Sequence, residues 1–188
     1  MQAVELPLLV RALRFAAMKH RCQRRRDIQA SPYINHPIAV LAILAEEAGI
    51  VDIEVLCAAL LHDTVEDTET TPAELAAEFG APVRDIVLAV SDDKTLPKAE
   101  RKRLQIIHAA HASHQARLVK LADKTANLRD LVEHPPHQWD AARRRAYCDW
   151  ALEVVEQIRG THAALEDLFD QAYAQCVAIA SGRGSREG

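Results

Sequence analysis

The stretch VLCAALLHDTVEDTET, residues 55–70, decides how this chain is read. Its first half, Val55 to Leu61, has no charged or strongly polar side chain. A helix that is apolar on every side belongs at the centre of a bundle. The second half sets His62, Asp63, Glu66 and Asp67 directly behind that run. If residues 53–67 form one helix, His62 pairs with Glu66 and Asp63 with Asp67 at a spacing of four, so all four project from one arc at its end. The carbonyl end of a helix is already partly negative, and carboxylates gathered there are unfavourable unless a cation sits among them. A divalent metal ion is the simplest remedy.

Outward from this stretch, the other periodic segments also read as helix. Leu6, Leu9, Val10, Leu13, Ala16 and Ala17 recur at helical spacing and predict a first helix ending near His20. RCQRRRDIQASPYINHP, residues 21–37, is polar and rich in breakers, which predicts a long loop carrying His36. Pro37 suits the first position of a second helix reaching about Ala48, with Gly49 closing it and Asp52 capping the third. Thr71-Pro72-Ala73-Glu74 reads as a capping-box start for a helix ending at Gly80, and Pro82 opens another to about Val90. SDDKTLP, residues 91–97, is a connector, and Pro97 starts a helix to about His111.

In QARLVKLADKTANLRDLV, residues 115–132, Leu118, Leu121, Thr125, Leu128 and Val132 form one stripe, while Lys120, Asp123 and Asn127 share another face. Pro135-Pro136 ends this helix. Two more are expected, from about Asp140 to Ile158 and from Thr161 to about Ile179, and SGRGSREG (181–188) is expected to be a disordered tail.

Composition agrees with an all-α protein: 49% of residues are apolar but only 4% aromatic, which favours close-packed helices over a sheet. The formal charge of −4 argues against a dedicated nucleic-acid binder. Glu5, Arg11 and Arg14 interrupt the apolar start, which suits neither a signal peptide nor a membrane span. Cys22, Cys57, Cys148 and Cys176 are widely spaced, which predicts reduced thiols in a cytoplasmic protein rather than zinc or disulfides. Arg101-Lys102-Arg103 reads as a solvated face, and so does the His108, His111, His114 series. Trp139, Trp150 and Phe169 are expected to pack between the last helices.

His62 and Asp63 alone would not complete a metal shell, and His36 and Asp123 are the natural additional ligands. Imidazole and carboxylate without thiolate suit Mn²⁺, Fe²⁺ or Zn²⁺. Glu66 and Asp67 stand just past the ligand pair, where a carboxylate can take a proton from a water activated by the metal. A phosphate-bearing ligand would need further cations, for which Arg25, Arg26, Lys98, Lys124 and Arg143 are candidates.

YINHP (33–37), ALLHDTVEDT (59–68), DDKTLPK (92–98), ERKRLQ (100–105) and KLADK-x-x-NLRDL (120–131) stand in that order. Together they make residues of about 15–150 resemble the HD hydrolase superfamily and, more narrowly, RelA/SpoT-type hydrolase domains in their stand-alone form, the small alarmone hydrolases that include metazoan SpoT homologues. The resemblance implies a single-domain HD-type bundle of about eight to ten helices over residues 1–180. It implies one Mn²⁺ held by His36, His62, Asp63 and Asp123, with Glu66 and Asp67 activating and orienting a metal-bound water. The implied substrates are guanosine tetra- and pentaphosphate (ppGpp and pppGpp), cleaved at the 3′-pyrophosphate to GDP or GTP. Tyr33 and Asn127 match positions near the ribose and the metal-proximal phosphate, and Tyr147, one turn after Arg143, completes the implied pocket. Cys22 and the pair Thr125-Ala126 depart from the usual pattern of such proteins, and the latter bears on pocket shape. Two other readings stay open on the residues: an HD-type phosphatase acting on another nucleotide such as NADPH, and a non-catalytic nucleotide sensor. Neither a nucleic-acid nor a membrane partner is expected, and the residues do not address oligomeric state.

Overall fold

A computed structural model describes residues 5–136 and 138–180. Its helices are α1 (Glu5–Lys19), α2 (Asn35–Ala42), α3 (Ile53–Leu61), α4 (Thr64–Asp67), α5 (Pro72–Phe79), α6 (Ala81–Val90), α7 (Lys98–Ala109), α8 (His114–Glu133), α9 (Ala141–Glu156) and α10 (Ala163–Ala180). A π-helical turn, Ile43–Glu47, prolongs α2. The only bridge among the described residues is the isolated Arg24–Pro32 pair. The all-α class is as the sequence predicts.

The apolar run becomes the centre of the molecule. Val55 to Leu61 on α3 are all buried, and α3 packs against α1, α2, α6 and α8. Helix α8 is the second axis: it touches α2, α3, α6, α9 and α10. Leu118, Leu121 and Leu128 bury its apolar stripe.

Capping chemistry sets most of the helix starts. Asp52 accepts hydrogen bonds from the Glu54 and Val55 amides, Thr71 from Glu74, and Asp140 from Arg143. Ser113 caps the start of α8 by accepting from the Ala116 amide. At the start of α5, Glu74 is drawn to Lys19 at 2.9 Å.

Three expectations are corrected. Helix α2 begins at Asn35, so Pro37 is its third residue, where a missing amide hydrogen is still tolerated. The helix over 53–67 is broken: α3 ends at Leu61, His62 and Asp63 form a turn, and α4 follows. The buried Thr64 hydroxyl donates to the Leu61 carbonyl at 2.7 Å, a local bond that competes with the helical ladder. Finally, Cys148 on α9 and Cys176 on α10 form a disulfide, where sequence spacing predicts reduced thiols. Packing of α9 on α10 brings together cysteines that lie 28 residues apart. Cys57 is buried and free, and Cys22 is exposed and free. The expected tail, 181–188, lies outside the described residues, as does His137. Among those described, no helix is long and apolar enough to cross a membrane.

Candidate metal centre and its cavity

The turn at 62–63 aims both its side chains at α2 and α8. His36, from the first turn of α2, puts Nε2 3.2 Å from Asp123 Oδ1 on α8. His62 Nε2 lies 3.1 Å from Asp63 Oδ2 and 3.7 Å from Asp123 Oδ1, and His36 Nε2 is 3.9 Å from Asp63 Oδ2. The imidazole orientation is fixed from behind: His62 Nδ1 donates to the Ala59 carbonyl at 2.8 Å, which turns Nε2 inward. That inward nitrogen is buried and has no hydrogen-bond partner.

His36, His62 and Asp123 bring ligand atoms within 4.8 Å of one another and could hold a metal ion, with Asp63 beside them, and the unpartnered His62 Nε2 is an atom a cation would satisfy. The electrostatics agree. Burial would push the His62 imidazolium down, yet the negative charges of Asp63 and Asp123 beside it hold it well above the ordinary histidine range. Burial would raise Asp63, but His62 and His36 bring it well below the usual carboxylate range. The acidic cluster thus draws a proton onto His62 that a divalent ion would displace. Further groups orient the carboxylates. The Tyr33 hydroxyl donates to Asp63 Oδ2, and Asn127 donates to Asp123 Oδ1 at 2.7 Å. Lys124, buried, donates to Asp123 Oδ2 at 3.0 Å.

Glu66 and Asp67, on α4, stand beside this set without joining it. Glu66 Oε2 accepts from the Asp92 amide at 3.1 Å, and Oε1 lies 3.6 Å from Arg101. Burial, reinforced by the charges of Asp63, Asp92 and Asp67, pushes the Glu66 carboxyl up to about 7. Asp67 accepts from Gln23 at 2.9 Å on one oxygen and from Lys94 on the other. Gln23 is in turn held by His20 Nδ1 at 2.7 Å.

Around these groups lies an inner cavity of about 270 Å³. An outer one of about 410 Å³ shares Tyr33, Asn127, Trp139 and Tyr147 with it. The chain matches the family model described as HD domain over residues 12–148. The chain belongs to the HD domain family. The adjacent pair His62-Asp63 stands at the turn after α3, inside the matched region.

Similar proteins carry a more specific description. The chain is 55% identical to guanosine-3′,5′-bis(diphosphate) 3′-pyrophosphohydrolase MESH1 of Danio rerio, over 89% of this chain and 93% of that one. It is also 55% identical to the MESH1 of Homo sapiens, over 91% and 96%. A solved structure described as a metazoan ortholog of SpoT that hydrolyzes ppGpp superposes with a TM-score of 0.86 at 50% identity, covering 89% of this chain and 94% of that chain.

Within this HD domain the residues singled out from sequence fall into three places. His36, His62, Asp63, Glu66 and Asp123 line the inner cavity together with Tyr33, Lys98, Lys124, Asn127 and Tyr147. Asp67, Arg25 and Arg26 line the outer cavity, where Arg25 is paired with Asp130. Arg143 lies further out, its guanidinium 4.6 Å from the Trp139 ring centre, and shares a recess with Arg26.

Several wall residues depart from the sequence expectation. Arg101 and Lys102 face the inner cavity rather than solvent, and only Arg103 is exposed, paired with Glu100. Trp139 and Trp150 also line this cavity instead of serving only as packing. Lys102 and Lys124 sit 4.5 and 4.6 Å from the Trp150 ring centre, and the indole donates to the Lys102 carbonyl at 3.1 Å. Phe169 is fully buried, as expected. Lys120 and Gln105 complete the wall. The sequence signal for Lys120 is its place on the same helical face as Asp123 and Asn127.

Proposed function

We propose that this chain is a manganese-dependent hydrolase that removes the 3′-pyrophosphate of guanosine 3′,5′-bis(diphosphate), ppGpp or pppGpp, giving GDP or GTP. The observation that carries this reading is the convergence of His36, His62 and Asp123, with Asp63 alongside and Glu66 nearby, in a cavity walled by lysine, arginine and aromatic rings. The names of the similar MESH1 proteins support the choice of substrate.

His36, His62, Asp63 and Asp123 would hold the ion. When bound, it polarises a phosphoryl oxygen and lowers the pKa of water. Glu66 is fixed through Oε2 by the Asp92 amide, so Oε1 is left to take the proton of the attacking water. Asp67, held by Gln23 and Lys94, orients that water. The bond between the ribose 3′-oxygen and the nearer phosphorus breaks; the 3′-oxygen leaves as a hydroxyl with the proton that Glu66 took from the water, and the water oxygen departs in pyrophosphate. Lys98, Lys102 and Lys124 line the cavity and counter the negative charge of the reacting diphosphate. Arg25, Arg26 and Arg143 receive the 5′-phosphates and base, with Tyr33, Asn127 and Tyr147 between the two arms.

Metal-stripped protein given ppGpp and Mn²⁺ tests the proposal. Equal amounts of GDP and pyrophosphate are expected, abolished by Asp63→Ala. No product with Mn²⁺, Fe²⁺, Zn²⁺ or Co²⁺ would overturn it.

A further inference from the structure

One buried lysine of the inner cavity faces Asp123, Asp92 and Glu66 without bonding directly to any of them. Lys120 stands on α8 one turn before Asp123, is only 4% exposed, and lines the inner cavity. Among the described residues its Nζ has no hydrogen-bond or ion-pair partner and no aromatic face. Most surrounding cations are matched directly, Lys124 with Asp123, Arg25 with Asp130, Lys94 with Asp67, Arg101 with Glu66 and Lys102 with the Trp150 ring, while Lys98 has only the Trp139 ring, 5.9 Å from its Nζ. Taking an ammonium out of water without a partner is costly, and an anion entering the cavity offsets that cost. A second donor in the same cavity, Arg101 Nε, is buried and unpartnered.

Position says which anion. The outer cavity holds Arg25 and Arg26 and none of the four ligand residues, whereas the inner cavity holds all four together with Lys120 and Arg101. A nucleotide phosphorylated on both its 3′ and 5′ sides, lying across the shared wall of Tyr33, Asn127 and Tyr147, places one arm in each. The arm beside the ligand set is the one that is cut.

Resting on the proposed reaction, we infer that Lys120, with Arg101, seats the terminal phosphoryl group of the 3′-diphosphate, and so selects a 3′-diphosphate over a 3′-monophosphate. Lys120 then acts as a ligand for the leaving pyrophosphate, and the proton transfers stay with Glu66.

Calorimetric titration of the metal-loaded protein with inorganic pyrophosphate and, separately, with GDP tests the inference. Lys120→Met should weaken pyrophosphate binding on the order of tenfold or more, the loss of a charge-assisted contact, and change GDP binding by less than about threefold. Lys120→Arg should recover part of the pyrophosphate affinity. Lys120→Gln is the second variant should the methionine protein fail to fold. Unchanged pyrophosphate affinity, or pyrophosphate and GDP affinities falling together, would overturn the assignment. The two readings fail separately. Wild-type protein that releases no pyrophosphate from ppGpp sinks the reaction, and the binding contrast still tests Lys120. Wild-type turnover with an unaltered kcat/KM in Lys120→Met sinks Lys120 alone.

Discussion

Replacing Tyr33 by phenylalanine removes one oxygen atom and, on this structure, loosens the metal centre. The Tyr33 hydroxyl donates to Asp63 Oδ2, the same oxygen that lies 3.1 Å from His62 Nε2, so it fixes the carboxylate in the rotamer that faces the other ligands. The ring itself is held independently, tilted against His20 with centres 4.9 Å apart and with the Arg25 guanidinium 5.6 Å from its centre. Phenylalanine keeps these contacts and loses only the donor. A hydrogen bond to a charged group contributes about 1.5–3 kcal/mol. At about 1.4 kcal/mol per factor of ten, that corresponds to a loss in affinity of roughly tenfold to a hundredfold. Removal of an outer partner of a metal ligand typically has the same size, about 10–100-fold. The assay is calorimetric titration of Mn²⁺ into metal-stripped wild-type and Tyr33→Phe proteins at one pH, with thermal melts to confirm that both are folded. A dissociation constant within about threefold of wild type would show that Asp63 needs no help from Tyr33.

Activity should fall as pH drops through about 7, because Glu66 must be ionised to take a proton, and Glu66→Gln should abolish turnover across the profile. The same group has a stability signature in the metal-free protein. Its folded-state pKa is raised above the ordinary 4.5, so the native state loses stability as pH rises through that interval to about 7. The melting temperature of Glu66→Gln should therefore exceed that of wild type at pH 8 and approach it below pH 4.5; a gap that does not change with pH would contradict the burial of Glu66. Gln23→Leu removes the 2.9 Å donor to Asp67, and kcat should drop on the order of tenfold while Mn²⁺ affinity holds. A matching loss of metal affinity would mean that Asp67 belongs to the ligand set. Leu60→Ala, at a fully buried position of α3, should cost about 2–5 kcal/mol and lower Tm by roughly 5–15 °C; a change under about 2 °C would place Leu60 outside the core.

Most of the helices could be read from the sequence because each rests on local chemistry, and His36, His62 and Asp123, read there as candidate ligands, come together in the fold. Asp52, Thr71 and Asp140 cap the helices they precede, and the apolar run ahead of His62 is as buried as its composition demands. Where the reading missed, the deciding interaction was a tertiary contact or a side-chain bond to the backbone. The break at 62–63 comes with a hydroxyl-to-carbonyl bond made by Thr64, which periodicity does not register. Trp139 and Trp150 look like packing residues until α7 and α9 come together and place lysine and arginine side chains over their faces. The Cys148–Cys176 pairing depends on which helix α10 lies against. Lys120 was the nearest miss: its helical face was legible, but its burial and lack of a partner belong to the folded state alone.

The pairing of cavity cations with carboxylates has a kinetic meaning. Lys124, Arg25, Lys94 and Arg101 each stand against an acid before any ligand arrives, and the chain as a whole carries −4. At these four positions an approaching polyanion meets near-neutral doublets, which add little long-range pull. Its rate of encounter should depend weakly on ionic strength, and discrimination is deferred to touchdown, when phosphate oxygens displace carboxylates one at a time. Such a mouth captures slowly and releases selectively, which favours residence over arrival as the quantity the fold controls.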